Sequence, residues 1–486
     1  MNPTHNHHGS HCRPAALAAL LLLALTSCRV TEDYRQPPLE TPTTFKSATT
    51  QEADVSRLDP NWWQVFDLAE LTSLEETAVK ENQDLKAAVA RVDQARAATR
   101  SVASQFYPVI TLDPSATRGQ RGGASANSYR VPFDLSYEVD IWGRVRRTVE
   151  AARATETATA EQVAVVRLTL TSDVAQNYFT LRSLDSQMEI VARNLQLYRR
   201  QVDLVDQQLK AGIVTKIDLL QAQALLDSTR AQEIDLRRQR ADTEHALAIL
   251  LGKPPAALNL ESKAFTLTPP KIPVGLPADL LARRPDVASA EQNLAAACAQ
   301  IGVAKANFYP VVRLTGTAGF ESISAGSLFN WESRLWSIGP SASIPIFEGG
   351  QLEAGLAQAK ARYEELLATW RGTVLTAFRE VEDALTDLHH RSDQAEAQAS
   401  AIAASREALR LIEVQYKQGL ANYLQVIDAD RTLLANELAA AQTDNQRLVA
   451  SVLLIKALGG GWSSANTQPA QTQPAPTPTQ PAATQP

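Results

Sequence analysis

Apolar residues recur along this chain with two periods, and each period predicts a different element. Between 129 and 141 every odd position is apolar or aromatic and every even position is polar or proline. A two-residue period is that of a β-strand with one apolar face. The same alternation predicts two pairs of strands, at 110–116 with 129–141 and at 312–320 with 336–346. Stretches rich in Gly and Ser at 119–128 and 322–330 predict the connecting loops.

Two long stretches without proline follow the predicted strand pairs. No proline lies between Pro132 and Pro254 or between Pro345 and Pro469. A helix over 147–210 would be about 95 Å long at 1.5 Å per residue. We expect it to reverse near Gly212 and to return as a second helix that ends near 251, because glycine is the usual residue where a helix stops and the chain turns.

Apolar residues within these stretches alternate in steps of four and three, which is the heptad seam of a left-handed coiled coil. In the first stretch the seam is Leu184, Met188, Val191, Leu195, Tyr198, Val202, Val205 and Leu209. In the second stretch it is Leu424, Ile427, Arg431, Leu434, Leu438, Ala441, Asn445, Leu448, Val452 and Ile455. Each stretch therefore predicts a coiled-coil helical hairpin.

The chain is an internal duplication. FYPVITL at 106–112 returns as FYPVVRL at 308–314, an offset of 308 − 106 = 202. Lys-x-Gly at 210–212 returns at 417–419, and Leu-Gly at 251–252 returns at 458–459, both at an offset of 207. We predict a first repeat at 61–255, an inter-repeat linker at 256–280 and a second repeat at 281–462. Each repeat contains a helix, two strands and a long helical hairpin.

The N-terminus has the pattern of an export signal. One charge, Arg13, precedes an apolar run at 15–25, which is shorter than the ~20 residues of a membrane-spanning helix. The run ends Leu-Thr-Ser-Cys at 25–28, which resembles a lipobox. We expect a lipoprotein signal peptide at 1–27, lipid on Cys28 and a lipid-anchored linker at 28–60; the alternative is an ordinary signal peptide with an incidental cysteine. The Pro-, Gln- and Thr-rich tail at 463–486 is predicted to be disordered.

Composition and motifs exclude several classes of function. The 486 residues have a net charge of −6, so a basic surface for nucleic acid is absent. Besides Cys28, the cysteines are Cys12 within the signal and Cys298, so no intrachain disulfide is expected once Cys28 carries lipid. We find no catalytic constellation and no Gly-x-x-x-x-Gly-Lys phosphate loop, and hence predict no enzyme and no cofactor other than the lipid. Adjacent His389 and His390 should lie on different helix faces, poorly placed to share a metal.

The predicted strands match those that span membranes. Their length and single apolar face fit transmembrane β-strands of ~9–11 residues. Aromatic residues cluster near the strand ends, as they do at membrane interfaces: Phe106, Tyr107, Trp142, Phe308, Tyr309, Trp331, Trp336 and Phe347. A soluble β-sandwich would show the same alternation. Four strands cannot close a barrel, since the smallest need about eight, so strands that span a membrane require an oligomer.

Five passages resemble the TolC/OprM family of outer-membrane efflux channels, and its OprM-like lipoprotein branch in particular. They are WWQVFDLAELTSL at 62–74, SYEVDIWGRVR at 136–146, RRPDVASAEQNLAAACAQIGVAKANFYPVVRLTG at 283–316, the segment 336–385 with IFEGGQLEAG and TAFREVEDAL, and the ending 423–462 with YLQVIDADRTLL. The resemblance covers about residues 60–462 in order.

The resemblance implies a mostly α fold with transmembrane β-strands, assembled as a homotrimer. Three chains would give four strands each to one 12-stranded barrel, and their helices would form a tunnel across the periplasm. A periplasmic adaptor would dock at the hairpin tips around Gly212 and Gly419, and an inner-membrane pump of the RND type would supply the energy. The chain would be a passive exit duct in the outer-membrane lipid. The alternatives are a periplasmic adaptor lipoprotein with one coiled-coil hairpin, a channel for type I protein secretion, and a coiled coil without a pore.

The resemblance also points to a gate in the second hairpin. In OprM-like channels the aspartate and arginine of a V-[LI]-D-A-x-R segment, with a leucine one turn earlier, narrow the closed tip. The matching residues are Leu424, Asp428 and Arg431. Arg431 lies at a seam position, where a charge is costly unless it is paired or faces water. The alternative is a local ion pair between Asp428 and Arg431 on the helix surface.

Overall fold

The computed structural model describes residues 33–39, 41–47, 59–121, 123–263, 265, 267–270, 272 and 283–462. The predicted signal peptide, Cys28 and the tail at 463–486 lie outside this described part. The chain divides into two compact units. The sheet unit includes 91–159 and 289–371, and the hairpin unit includes 39–90, 160–288 and the chain from 372 onward.

The helices and strands follow one order twice along the chain. The first copy contains α1 (Ala69–Glu81), α2 (Gln83–Ala103), β1 (Val109–Leu112), β2 (Ser115–Arg121), β3 (Ala124–Val139), α3 (Arg144–Lys210) and α4 (Lys216–Leu250). The second contains α5 (Pro285–Ala306), β4 (Val311–Ser322), β5 (Arg334–Ser343), α6 (Gln351–Lys417) and α7 (Tyr423–Ala457). Short 3-10 helices include Trp62–Phe66, which precedes α1. This order confirms the predicted succession of helix, strands and hairpin.

The sheet is antiparallel and four strands wide. β1 and β2 pair with successive stretches of β3, which pairs with β4, which pairs with β5. The register places Val109 opposite Ser136, and Val139 opposite Val312. β4 joins the two copies into one sheet. β1 with β2 forms one edge of the described sheet and β5 forms the other.

Two details of the predicted strands are wrong. The predicted loop at 119–128 is a tight hairpin, because β2 and β3 stay paired as far as Arg121 opposite Ala124. Gly and Ser have low strand propensity, but cross-strand pairing overrides a preference of this size. The predicted strand at 110–116 is two strands, since Pro114 has no N–H to donate to a ladder.

Apolar side chains of the strands face away from the chain's own core. Large ones are exposed on β1, β3 and β5: Val109, Ile110, Leu112, Phe133, Val139, Trp336 and Ile338. Large apolar side chains exposed together on neighbouring strands mark a contact with lipid or with another chain.

Aromatic residues lie at strand ends in the sheet unit, as the sequence predicts. The Trp142 ring stacks on Tyr309 at a centroid distance of 4.9 Å, and its indole N–H donates to the Pro310 carbonyl at 2.8 Å. Nearby, the Asp140 carboxylate accepts the Val145 backbone N–H at 3.0 Å and so caps the start of α3. The SYEVDIWGRVR segment is therefore a strand-to-helix junction.

The two hairpins have equal dimensions. α3 and α6 each contain 67 residues, and α4 and α7 each contain 35. At 1.5 Å per residue the longer helices are about 100 Å long. This equality confirms the duplication that the repeated motifs predict. In the part of the chain described here, each helix is too short or too polar to cross a membrane.

The coiled-coil seam of α3 is the core of the hairpin unit. Val191, Leu195 and Tyr198 are buried and belong to one cluster, which also contains Leu225 of α4 and Ile427 of α7. The seam therefore packs against both its own returning helix and the second hairpin. The predicted seam on α3 is confirmed.

Each returning helix ends against the backbone that leads into its own copy. A Cβ on Gly252 would lie 2.4 Å from the Glu81 carbonyl oxygen, and a Cβ on Gly459 would lie 1.9 Å from the Arg283 carbonyl oxygen. Neither distance is possible for a real side chain, so both positions require glycine. Glu81 and Arg283 differ by 202 and the glycines by 207, so the Leu-Gly repeat is a duplicated junction.

A polar side chain completes each of these junctions. In the first copy the Asn82 amide donates to the Leu250 carbonyl at 3.0 Å. In the second copy the Arg284 guanidinium donates to the Ala457 carbonyl at 3.0 Å. These carbonyls have no partner within their own helix, because they lie in its last turn.

A buried ion cluster attaches the inter-repeat linker to the hairpin unit. The Arg182 guanidinium contacts Glu70 at 2.6 Å and Asp185 at 2.8 Å, and donates to the Glu261 carbonyl at 2.7 Å. Arg240 of α4 contacts the second oxygen of Asp185 at 2.7 Å. Removal of one partner would leave a buried charge uncompensated, which is strongly destabilising.

We predict that Glu75→Gln stabilises the protein. Glu75 lies on α1 with no exposed surface, and neither of its carboxylate oxygens has a hydrogen-bond partner. Burial raises the pKa of this carboxyl well above 4.5. The carboxylate thus costs stability that grows as pH rises from about 4.5 toward the folded pKa, because only the unfolded chain ionises freely. Thermal unfolding in detergent should show a gain of about 1–3 kcal/mol at neutral pH.

The matched control for this prediction is Glu76→Gln, which neutralises an exposed carboxylate on the same helix. It should leave the melting temperature unchanged. The gain in the Glu75 variant should shrink in acid, and an equal gain in both variants would contradict the assignment of the cost to burial.

Candidate gate and docking site at the hairpin tips

The two hairpin tips have the same backbone design. α3 ends where Gly212 takes a φ of 72°, and α6 ends where Gly419 takes a φ of 75°. The N–H of the residue after each glycine donates back to the last turn, from Ile213 to the Gln208 carbonyl and from Leu420 to the Gln415 carbonyl, both at 2.9 Å. This is the Schellman motif that terminates helices with a left-handed glycine.

The return helices begin with equivalent capping boxes. The Thr215 hydroxyl accepts the Asp218 N–H, and the Asp218 carboxylate accepts the Thr215 N–H. In the second copy Asn422 and Gln425 make the same reciprocal pair. Each tip is therefore held by its own hydrogen bonds, and its outer side chains are left available for contact with a partner.

Apolar side chains project from both tips. Ile213 is 71% exposed and Leu420 is 76% exposed. Ile217 and Leu220 of α4 and Leu424 of α7 are also exposed. Apolar residues grouped at the end of a long hairpin are typical of an interaction surface.

The three predicted gate residues lie on one exposed surface of α7. Leu424 is 46% exposed, and Asp428 and Arg431 are both exposed. Asp428 lines a groove of about 500 Å³ together with Ala404, Ser405 and Thr432. In the described part of the chain no ion pair joins Asp428 to Arg431, so the alternative of a local pair is not formed. The charges are open to a neighbouring chain or to a pore.

The predicted seam is wrong at two positions near the tip end of α7, whereas Ile427 between them is buried as predicted. From Leu434 onward the predicted residues are wholly or partly buried, but Leu424 and Arg431 are exposed. Tyr423, Val426 and Asp430 are buried in their place. A strict heptad drifts by about 20° per repeat on a straight helix, which over roughly four repeats nearly equals the ~100° between neighbouring residues. The packing face therefore moves by one residue along the helix.

This shift brings an acidic residue into the core that the sequence analysis missed. Asp430 is 6% exposed, and its carboxylate accepts a hydrogen bond from the Gln201 amide of α3 at 3.3 Å. The pKa of Asp430 is raised to about 6, because burial and the nearby Glu413 carboxylate together outweigh the Gln201 hydrogen bond, which lowers it. The sequence does carry a sign of this buried acid: when the predicted seam is shifted by one residue toward the N-terminus, the seam position at Arg431 becomes Asp430.

The histidine pair is closer than its adjacency predicts. Ligand atoms of His389, His390 and Asp393 lie within 4.8 Å of one another, and the His389 Nε2 is 3.8 Å from the Asp393 carboxylate. The prediction that the two histidines are too poorly placed to share a metal is therefore wrong as regards distance. All three side chains are exposed, so no packing fixes them in a ligand geometry.

Comparison with known proteins identifies the family. The family described as outer membrane efflux protein matches residues 74–253 and 276–460, one segment in each copy. Outer membrane protein OprJ of Pseudomonas aeruginosa is 33% identical over 476 residues, which cover 94% of this chain and 98% of that protein. The solvent efflux pump outer membrane protein SrpC of Pseudomonas putida is 34% identical over 472 residues, which cover 92% and 98%.

Solved structures agree with the sequence matches. The outer-membrane channel OprN superposes with a TM-score of 0.84 at 32% identity, covering 90% of this chain and 100% of that one. The Campylobacter jejuni CmeC outer membrane channel superposes with a TM-score of 0.85 at 26% identity, covering 90% and 96%.

The fold and these similarities define an outer-membrane channel with a helical tunnel. The chain belongs to the outer membrane efflux protein family, and it acts as an efflux channel located in the outer membrane. The resemblance to TolC/OprM channels is thereby confirmed. The interpretations as a periplasmic adaptor and as a coiled coil without a pore are wrong.

We predict that Gly419→Ala destabilises the second tip. A Cβ there meets no atom within 4 Å, so the cost comes only from the left-handed backbone and should be about 1–2 kcal/mol. Gly372→Ala, in the interior of α6 with equal space around it, should instead stabilise by about 0.5–1 kcal/mol. Thermal unfolding followed by circular dichroism measures both, and equal signs for the two variants would contradict this account.

Proposed function

We propose that three copies of this chain form one passive exit duct for small molecules, fed by a periplasmic adaptor and an inner-membrane pump of the RND type. The observation that supports it best is the duplicated hairpin of equal length in each half. Three chains would present six nearly alike tips, and an adaptor could engage them with one repeated contact. In this proposal three four-stranded sheets close into a 12-stranded barrel.

The hairpin tips are proposed as the docking surface for the adaptor. The glycine turns at Gly212 and Gly419 fix the two tips in the same conformation. The exposed Ile213 and Leu420 supply apolar contact area at equivalent heights in the two copies.

The cargo is a small molecule whose chemistry is selected by the pump. Relatives of similar identity carry different names: CusC of Escherichia coli is a cation efflux system protein at 33% identity, and TtgI of Pseudomonas putida is a toluene efflux pump outer membrane protein at 34%. A duct that serves such different cargo needs a generic lining.

Leu424, Asp428 and Arg431 are proposed as the gate at the tunnel end. They are exposed on one chain, which fits residues that face a narrow pore or a neighbouring subunit. Rings of charge and apolar constrictions are physical means of closing a pore. Only the second copy carries them, because Asp428 and Arg431 align with Gln221 and Ala224 at the offset of 207.

We predict that Asp428→Ala combined with Arg431→Ala raises single-channel conductance in planar bilayers. Removal of the charges and their bulk widens the constriction, and a severalfold increase is expected if these side chains limit the current. The control is Asp444→Ala with Arg447→Ala, another pair of the same spacing on α7, whose groups are 3.4 Å apart. Unchanged conductance in the gate variant, or an equal rise in the control, would contradict the gate.

Lipid on Cys28 is the proposed membrane anchor. Its support is the Leu-Thr-Ser-Cys sequence after a short apolar run. We predict that Cys28→Ala abolishes incorporation of radiolabelled palmitate and leaves an uncleaved precursor, as seen by mass spectrometry. Cys298→Ala should retain both lipid and cleavage. Labelling of the Cys28 variant would exclude this cysteine as the lipid site.

A further inference from the structure

The tip of the second hairpin contains a buried polar cluster that the channel function does not use. Its centre is Asp430 of α7, which lies two residues after Asp428 but faces the core rather than solvent. The Gln201 amide of α3 donates to its carboxylate. This contact joins the helix that carries the gate residues to the first hairpin.

Two tyrosines of the cluster have buried hydroxyls without hydrogen-bond partners. Tyr198 of α3 is 1% exposed and Tyr423 of α7 is 4% exposed, and among the described residues neither hydroxyl has a hydrogen-bond partner. The Asp430 charge acts on both phenols and raises the pKa of each, in addition to the effect of burial. An ionised Asp430 is thus poorly solvated, because a single long hydrogen bond from an amide is its only described donor.

Other charged and titratable groups around the cluster do not neutralise Asp430. α6 contributes the Glu413 carboxylate, of the same sign, and the Tyr416 phenol, while α4 contributes Asp218 near Tyr423. On α7 itself, Arg431 and Glu437 act on Tyr198 with opposite signs. Negative groups therefore outnumber positive ones around this position.

The first copy has no equivalent acid. The residue aligned with Asp430 at the offset of 207 is Gln223, which carries no charge. The buried acid and the gate residues thus occur together, on the same two turns of α7 and in the same copy.

We propose that Asp430 is a positioning residue for the gate. When its carboxyl is neutral, the tip of α7 packs against α3 and the gate is narrow. When the carboxyl is ionised, this packing loosens and the gate widens. This inference rests on the proposed gate. It assigns the gate a sensitivity to periplasmic pH that is built into the contact between the two hairpins.

The direction of the effect follows from the folded pKa. The pKa of Asp430 is raised from 3.8 to about 6, so the packed form binds the proton more tightly than a solvated aspartate does. By linkage, the packed form is fully favoured below the ordinary pKa of 3.8 and weakens as pH rises from there toward about 6. Acid should therefore close the tip and a neutral medium should loosen it.

The test is single-channel conductance of the full-length protein in planar bilayers, measured from about two pH units below that pKa to two above. The wild type should show low conductance in acid and at least a roughly twofold rise with a midpoint between the ordinary aspartate pKa of 3.8 and the raised value of about 6. Asp430→Asn, which mimics the neutral acid, should stay at the low value throughout. Asp444→Asn, which removes an exposed carboxylate from the same helix, should retain the wild-type rise.

A second variant keeps the proposal testable if Asp430→Asn does not assemble. Gln201→Leu removes the hydrogen bond that stabilises the ionised Asp430 carboxylate in the packed form, so the rise in conductance should be larger than in the wild type and should begin at no higher pH. A wild type without pH dependence, a rise that persists in Asp430→Asn, or a rise in Gln201→Leu that is smaller than that of the wild type would overturn the proposal.

The experiments distinguish a failure of the Asp430 proposal from a failure of the proposed gate. The variant with Asp428→Ala and Arg431→Ala should have raised conductance at every pH if the gate is correct. If that variant conducts normally while Asp430→Asn loses the pH dependence, the positioning role of Asp430 stands and the choice of gate residues fails. If instead the double variant conducts more at every pH while Asp430→Asn keeps the pH dependence, the gate residues stand and the positioning role of Asp430 is rejected.

Discussion

The sheet of this protein is too narrow to close on itself, and that constraint governs the assembly. Four strand widths end in two edges, β1 with β2 on one side and β5 on the other. Edges leave backbone groups without partners, which a membrane does not tolerate. The exposed apolar side chains of the strands also favour transfer of the sheet from water into a membrane. Copies of the chain that join edge to edge would pair the free backbone groups and form a closed apolar surface that a membrane can surround.

The duplication gives each chain two similar helical hairpins, which together can line a tunnel. Equal helices of 67 and 35 residues in each copy give every chain two hairpins of one length. The glycine junctions at Gly252 and Gly459 anchor each hairpin to the backbone that leads into its own copy. The symmetry is broken at the tip of α7, where the second copy alone carries Asp428, Asp430 and Arg431.

Much of this architecture could be predicted from the sequence, because it depends on periodic burial. The alternation at 129–141 predicted β3, and the heptad seam predicted α3 and most of α7. Pairing of the Gly- and Ser-rich stretch at 119–128 could not be predicted, since it depends on the partner strand. The burial of Asp430 was missed because a heptad repeat and a straight helix drift apart over several turns.

One chain is proposed to be a third of a closed channel, and the number of subunits in the complex is the measurement that bears on this first. Native mass spectrometry of the complex, extracted from outer membranes in mild detergent, measures that count. A mass of three chains is expected, because three sheets of four strand widths would close a barrel of 12 strands. A stable, conducting species of a single chain, or of any other number of chains, would contradict it.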